Sequence, residues 1–253
     1  YTIMNWMIGQ KIKFLCMIFL LILLSFFCGN RVVLLVKKTT EEMKEFYTEY
    51  KEKNVEMVVE MSQMGANENT PSPATQNHVI SESIFDWANV GAVHLKPGLF
   101  AWNYLGFAAP TVVDHQKFYF PNAEAKYTIV HPKDIGEVVA ELLIDKNIAQ
   151  HIGKHYEITG NKTYSGNDVA EDITSLIGKP VEYVPVTIDQ WIDAVKDLPT
   201  INSFLATHLR EFSTEIADGR FNKTTSVVKD ITGHEPRTFK DYIAEYKTAF
   251  ETA

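Results

Sequence analysis

Apolar and polar positions follow two different periods along the chain, and the change of period predicts alternating strands and helices. Apolar, β-branched runs predict strands, whereas apolar residues spaced three and four apart predict helices. The predicted strands cover 31–36, 55–61, 92–95, 127–130, 155–158 and 181–186. The predicted helices cover 39–53, 78–89, 132–144, 165–177, 188–195, 204–217 and 239–252. This alternation is typical of an α/β fold with a mainly parallel sheet.

Local signals support several of the predicted helix ends. Thr39 and Ser165 each stand at an N-cap position with an acidic residue three positions later, and Pro132 occupies a first helical position. Gly178 follows the helix that Ser165 begins, where a left-handed C-cap is common. The stretch 64–76 is polar and contains a glycine and two prolines, which predicts a loop.

The segment 14–28 differs from the rest because it holds 15 uncharged, almost wholly apolar residues. A membrane-spanning helix needs about 20 such residues, so the run is short for a span and suits a signal-peptide core. The region 1–30 is therefore open to three interpretations: a membrane anchor, a signal, or sequence that does not belong to the mature protein. If the segment inserts, the cations that follow it would hold the domain on the cytoplasmic side. A buried part of a soluble fold is the further alternative for this apolar run.

Composition and charge narrow the class of protein. The 253 residues are 45% hydrophobic and 22% charged, which permits a sizeable core and excludes a disordered or multi-pass membrane protein. The net charge is −8, so electrostatics give no support for a nucleic-acid partner. Both cysteines, Cys16 and Cys28, lie near the N-terminus, and a cytoplasmic location fits a chain otherwise free of cysteine.

From Met61 onward, short motifs occur in the order of a known family. The segment 62–66 (SQMGA) is similar to a strand end S-S-x-G-A, and 78–82 (HVISE) to an H-x-x-x-E helix. The segment 96–103 resembles R-P-G-x-F-x-x-N, with Lys96 in place of arginine. The segments 127–137, 156–160 and 233–239 resemble, in that order, the strand before D-I-A, the Y-x-L-T-G strand and the G-x-x-P-R-T-F segment. Together these motifs resemble the NmrA-like family of atypical short-chain dehydrogenase/reductases.

The resemblance implies a Rossmann-like NAD(P)-binding fold and a set of site residues. It implies a partial Rossmann-like domain over 31–160 and a small, mostly helical C-terminal substrate region over 161–253. His78 and Glu82 stand where classical members of the superfamily have a catalytic Tyr–Lys pair. Cofactor contacts are implied for Ser62, Met64, Gly65, Lys96, Pro97 and Gly98. The substrate pocket is implied to include Phe100 and Asn103, and no metal is implied.

The cofactor-binding end departs from the family pattern. The family has a first strand followed by G-x-x-G-x-x-G, whose amides receive the pyrophosphate, and no such motif occurs in this chain. Compared with the family pattern, about one βα unit is also missing before Ser62, which makes the pattern incomplete at its N-terminal end. Lys37 and Lys38 follow the strand 31–36, where cations favour the 2′-phosphate of NADP, although an ordinary charged strand end fits equally. We expect this chain to bind NADPH weakly or not at all, while the full-length gene product would bind it.

Three functions follow from the resemblance. The first is an NADPH-dependent reductase of small carbonyl or quinone compounds, with His78 as the proton donor. The second is a non-catalytic NADP(H)-sensing protein that binds a regulatory partner, which the absence of the Tyr–Lys pair favours. The third is a degenerate fragment that binds no cofactor, which the missing glycines favour.

Overall fold

The computed structural model describes residues 31–35, 48, 50, 52, 55–121, 124–196 and 201–251. The strands are β1 Arg31–Leu35, β2 Met57–Met61, β3 Ala92–Pro97, β4 Leu99–Phe100, β5 Lys117–Phe120, β6 Tyr127–Val130, β7 His155–Ile158, β8 Thr163–Tyr164 and β9 Glu182–Pro185. The α-helices are α1 Pro73–Ala88, α2 Asn103–Phe107, α3 Ala109–His115, α4 Pro132–Ile144, α5 Gly166–Ile177, α6 Ile188–Val195, α7 Ser203–Ala217, α8 Val227–Thr232 and α9 Phe239–Glu245. Short 3₁₀ turns cover Ile148–Gln150 and Lys247–Phe250. The predicted α/β class is thus confirmed.

A parallel sheet with the strand order β1-β2-β3-β7 forms the centre of the N-terminal half. Successive side chains of a strand point to opposite faces, so each strand contributes to two layers. On one face Met57 and Val59 of β2 pack with Val93 of β3 against the apolar side of α4. On the other face Val58 packs against Phe85 of α1. The sheet is therefore covered by helices on both sides, as expected for parallel strands.

A second, larger core joins the C-terminal helices to the segment that follows β3. Tyr104, Phe118 and Phe120 form its aromatic centre, and Phe239 of α9 packs edge-on against Tyr104 at a centroid distance of 4.9 Å. β5 pairs with β9, and β6 lies between β4 and β8. The predicted boundary between 31–160 and 161–253 is crossed by this core, and the division into two regions stays a prediction.

The structure extends one prediction and corrects another. Helix α1 begins at Pro73 rather than at residue 78, so the predicted loop 64–76 is wrong in its last four residues. Ser72 caps the helix by accepting a hydrogen bond from the Thr75 amide, and a proline at the first position loses no helical hydrogen bond. By contrast, α4 and the capping box of Ser165 at the start of α5 agree with the sequence.

The predicted apolar segment 14–28 and the cations Lys37 and Lys38 lie outside the described residues. Of the predicted helix 39–53, only positions 48, 50 and 52 are described, and all three are helical. Within the described ranges, no helix combines the length and the apolar character that a membrane crossing requires.

Candidate functional site

Helix α1 presents three polar side chains to the sheet along one side. His78, Glu82 and Asp86 are spaced four residues apart, which places them one above the other on a helix face. Phe85 anchors the helix to the sheet and is almost fully buried. The polar side chains of α1 therefore meet those of the strands below.

Three of the predicted site residues form a hydrogen-bonded group, which we call the edge triad: Ser62, Glu82 and Lys96. The Ser62 hydroxyl donates to Oε1 of Glu82, and Nζ of Lys96 lies 2.9 Å from Oε2 of the same carboxylate. Lys96 also donates to the carbonyl of Ala66 at 3.0 Å. Because Ser62 follows β2 and Lys96 lies near the end of β3, the triad stands at the carboxyl edge of the sheet, where open α/β sheets bind ligands.

His78 lies near the triad but makes no hydrogen bond through its buried Nδ1 to any described residue. Burial lowers the pKa of His78 to about 4, with Lys96 and His208 acting in the same direction and the Glu82 carboxylate opposing them. The imidazole is therefore neutral near pH 7. This environment disfavours the charged form of His78 as a proton donor, whereas the neutral ring can still donate a hydrogen bond.

Met64 and Gly65 face the C-terminal helices. Met64 is buried in the larger core, and a side chain on Gly65 would come within 3.0 Å of Oε2 of Glu215. Glu215 is buried, which raises the pKa of its carboxyl group, and its Oε1 accepts a hydrogen bond from Thr70 at 2.8 Å. Helix α7 thus closes tightly over this part of the strand edge.

The remaining predicted residues follow β3. Pro97 is buried, and Gly98 donates to the carbonyl of Ile158 at 2.9 Å. A side chain at Gly98 would collide with Thr128 of β6, so this glycine permits a close approach of two strands. Phe100 packs edge-on against Trp102 at 6.2 Å.

Asn103 is the first residue of α2 and is partly buried. The cofactor and pocket roles of Met64, Gly65, Pro97, Gly98, Phe100 and Asn103 stay predictions.

A second polar group lies on the same face of the sheet, one helical turn from the triad, and we call it the sheet cluster: Glu60, Asp86, His94 and His155. The β2–β3–β7 register places Glu60, His94 and His155 side by side in one row across three strands. Nδ1 of His94 bonds to Oε2 of Glu60, and Nε2 of His94 lies 3.0 Å from Oδ1 of Asp86. The rings of His94 and His155 stack with centroids 4.5 Å apart.

The two histidines of the sheet cluster differ in their electrostatics. Burial disfavours the charged form of His94, but its hydrogen bonds to the carboxylates of Glu60 and Asp86 outweigh burial and raise its pKa. For His155, burial together with the charges of His94 and Lys96 lowers the pKa. Sequence reasoning missed this cluster, although polar residues at alternate positions of otherwise apolar strands are a signal of one shared face.

A third polar group, the C-terminal clamp, comprises Asp134, Glu137, His234 and Arg237. Both guanidinium nitrogens of Arg237 reach acids: one bonds to Oδ1 of Asp134 and lies 2.7 Å from Oε2 of Glu137, and the other lies 2.7 Å from Oε1 of Glu137. The Arg237 amide donates to Asp134, and His234 bonds to Glu137 at 2.7 Å. These contacts explain physically why D-I-x and P-R-T-F motifs occur together: the second supplies the cation that neutralises the buried acid of the first.

The residues at the edge triad and the residues expected to hold the pyrophosphate differ in how well they suit a dinucleotide. Among the described residues, the buried Nδ1 of His78 near the edge triad has no hydrogen-bond partner, which fits a ligand at that edge. The glycine motif that receives the pyrophosphate in the family does not occur in the sequence, and Lys37 and Lys38 lie outside the described residues. The nicotinamide end is therefore compatible with the cofactor on the evidence of His78.

The fold is Rossmann-like and is similar to the folds of NADPH-dependent reductases and of NmrA. The predicted resemblance is confirmed by solved structures that share this fold. The NADPH complex of quinone oxidoreductase QOR2 from Escherichia coli matches with a TM-score of 0.72 at 19% identity, covering 86% of this chain and 76% of that one. NmrA, a negative transcriptional regulator, matches with a TM-score of 0.63 at 12% identity, covering 89% and 77%.

Sequence comparison finds oxidoreductases as well. NAD(P)H azoreductase of Xenophilus azovorans is 28% identical over 174 residues, which is 69% of this chain and 57% of the azoreductase. Quinone oxidoreductase 2 of Escherichia coli is 21% identical over 175 residues, covering 69% of this chain and 59% of that protein. The matched part thus spans a little over half of these relatives. No family model matches the chain.

Proposed function

We propose that this chain is an NAD(P)(H)-binding protein of the reductase type that acts on small carbonyl or quinone compounds. The observation that carries the proposal is the edge triad at the carboxyl end of β2 and β3, on a fold shared with an NADPH-bound quinone oxidoreductase. The relatives named for azo and quinone reduction support a small, electron-accepting substrate. When bound, the nicotinamide supplies the hydride chemistry.

The chain's own residues would orient the reacting groups. Ser62, Gly65 and Pro97 line the edge against which the cofactor would lie, and Lys96 holds the Glu82 carboxylate in place. His78 would bind a substrate oxygen through the N–H of its neutral ring, because its lowered pKa leaves little imidazolium at pH 7.

The experiment is a titration of the purified chain with NADPH, followed by cofactor fluorescence. We expect saturable binding that is weaker than micromolar, because no glycine-rich loop is present. Absence of saturation would contradict the proposal and support the fragment that binds no cofactor. Micromolar or tighter binding would contradict the expectation of weak binding and leave the proposed function intact.

A turnover assay with quinone acceptors then separates enzyme from sensor. We expect slow NADPH oxidation that His78→Ala reduces by about tenfold or more, since one hydrogen-bonding or proton-transfer group contributes on that order. His234→Ala, in the C-terminal clamp, is the matched control and keeps the wild-type rate. Saturable NADPH binding without turnover favours the non-catalytic sensor, which the likeness to a transcriptional regulator also supports.

A further inference from the structure

The sheet cluster contains three groups that metal ions bind in proteins. One ligand atom each of Asp86, His94 and His155 lies within 4.8 Å of the other two. His94 is fully buried, whereas Asp86 and His155 are exposed at the rim, so the three groups open to solvent on one side. The cluster thus combines an inner ligand held by the sheet with two outer ligands that can adjust.

The surrounding residues resemble the second layer of a metal site. A metal-bound histidine usually donates its other ring nitrogen to a carboxylate or carbonyl, which fixes the ring. Here Nδ1 of His94 bonds to the buried Glu60, which leaves Nε2 directed at Asp86. Nδ1 of His155 lies 3.5 Å from Oε2 of Glu82. Each histidine of the cluster therefore has a carboxylate beside one ring nitrogen.

We propose that Asp86, His94 and His155 bind one divalent transition-metal ion of the Zn²⁺ class. Two imidazoles and one carboxylate suit Zn²⁺, Co²⁺ or Ni²⁺ better than Mg²⁺ or Ca²⁺, which prefer oxygen ligands alone. Three protein ligands leave a fourth position for water or another ligand.

The geometry needs only a small adjustment. Ligand atoms in a tetrahedral site with bonds near 2.0 Å stand about 3.3 Å apart. Nε2 of His94 and Oδ1 of Asp86 already lie 3.0 Å apart, and the remaining separations are no more than 4.8 Å. Rotation of the half-exposed His155 and Asp86 side chains closes that difference without moving the sheet.

The contrast with the C-terminal clamp supports the choice of this cluster. Asp134, Glu137 and His234 also stand within ligand distance of one another, but the guanidinium of Arg237 lies between the acids. Beside the sheet cluster, Lys96 pairs with Glu82. In the clamp, Arg237 supplies the positive charge between the acids. In the sheet cluster, the proposed metal ion would supply it.

The experiment is a Co²⁺ titration of the full chain after chelator treatment, read by visible absorption, with Zn²⁺ displacement and Mg²⁺ as a negative control. We expect one equivalent of Co²⁺ to bind saturably, and His155→Ala and Asp86→Asn each to weaken it by about tenfold or more. Both positions are partly exposed, so the variants should fold, which circular dichroism checks. His234→Ala is the matched histidine control and should bind Co²⁺ as the unchanged chain does.

A second readout is independent of absorption. Zn²⁺ at about a hundredfold excess over its Kd should raise Tm by roughly 5–10 °C, and this rise should disappear in His155→Ala. Equal Co²⁺ binding by His155→Ala and His234→Ala would overturn the site, as would the absence of saturable binding. A sulfur-to-metal charge-transfer band would assign the metal to Cys16 and Cys28 and would also overturn it.

Discussion

The C-terminal clamp and the sheet cluster both contain aspartate, glutamate and histidine, and they differ in how the charges of these side chains are compensated. In the clamp, Arg237 bonds to the buried Asp134 and to Glu137, so the acids and their cation come from the same chain. In the sheet cluster, Glu60 is fully buried and its Oε1 has no partner among the described residues. A buried polar atom without a partner costs stability, and such atoms are found at functional sites. The clamp therefore stabilises the fold, whereas the sheet cluster offers side chains to a bound ligand.

The largest effect should come from removing the cation of the clamp. Arg237→Met leaves the carboxylate of Asp134 buried without its guanidinium, and we expect the free energy of unfolding to fall by about 3 kcal/mol. Chemical denaturation measures the change. Lys229→Met is the control, because its ion pair with Glu235 is exposed to solvent and should contribute little to stability. Equal losses in the two variants would show that the clamp is no more than a surface ion pair.

A smaller effect should appear as a pH dependence of the free energy of unfolding that is caused by His78 of α1. The pKa of His78 is lowered in the folded state to about 4, from an ordinary value of 6.5. As the pH falls below 6.5 the unfolded chain takes up this proton first, so stability falls between about pH 6.5 and 4. From pH 7.5 to 5 the loss due to His78 is about 2 kcal/mol, and His78→Gln should remove it.

The measurement for His78 is urea denaturation at several pH values. The Glu82, Lys96 and His208 side chains that act on His78 remain in the variant, so only its own titration is lost. His115→Gln, at the exposed end of α3, should keep the wild-type loss of stability toward pH 5. A pH profile of His78→Gln that coincides with the wild type would contradict the buried, neutral imidazole.

The smallest effect on stability should follow from a substitution that adds a positively charged side chain to the sheet cluster. His155→Arg places a guanidinium beside Asp86 and Glu82, and the free energy of unfolding should change by less than about 1 kcal/mol because the position is half exposed. Co²⁺ binding should be lost at the same time, which isothermal calorimetry measures. Unchanged Co²⁺ affinity in this variant would contradict the claim that the sheet cluster, unlike the clamp, binds a metal ion.

The sequence predicted those parts of the molecule whose signals are local. Helix α4 and the start of α5 carry their own proline, capping and periodic signals, and they appear as expected. The segment from Asn103 to Phe120 was not predicted, because α2, α3 and β5 are short and are held by aromatic contacts such as Tyr104 with Phe118. Tertiary packing, rather than propensity, decides such segments.

The candidate site was likewise predicted only in part. Ser62, Glu82 and Lys96 were identified through family resemblance, and the structure joins them in one group. His94 and His155 were missed because they come from strands that are distant in the sequence and adjacent only in the register of the sheet. Alternation within β3 predicts that His94 shares a face with Lys96, but no local pattern names its neighbour on β7.

Helix α5 begins with a capping box, and so do α6 and α9. Their N-cap residues are Ser165, Thr187 and Thr238. These three helices therefore carry their initiation signals within a single turn, and contacts of this kind form early during folding. The pairing of β3 with β7 instead closes a long loop between Pro97 and Ile158, whose entropy opposes early formation. We expect the C-terminal helices to protect their amides from hydrogen exchange sooner than the central sheet during refolding. The face that carries the sheet cluster would then be among the last parts of the molecule to assemble.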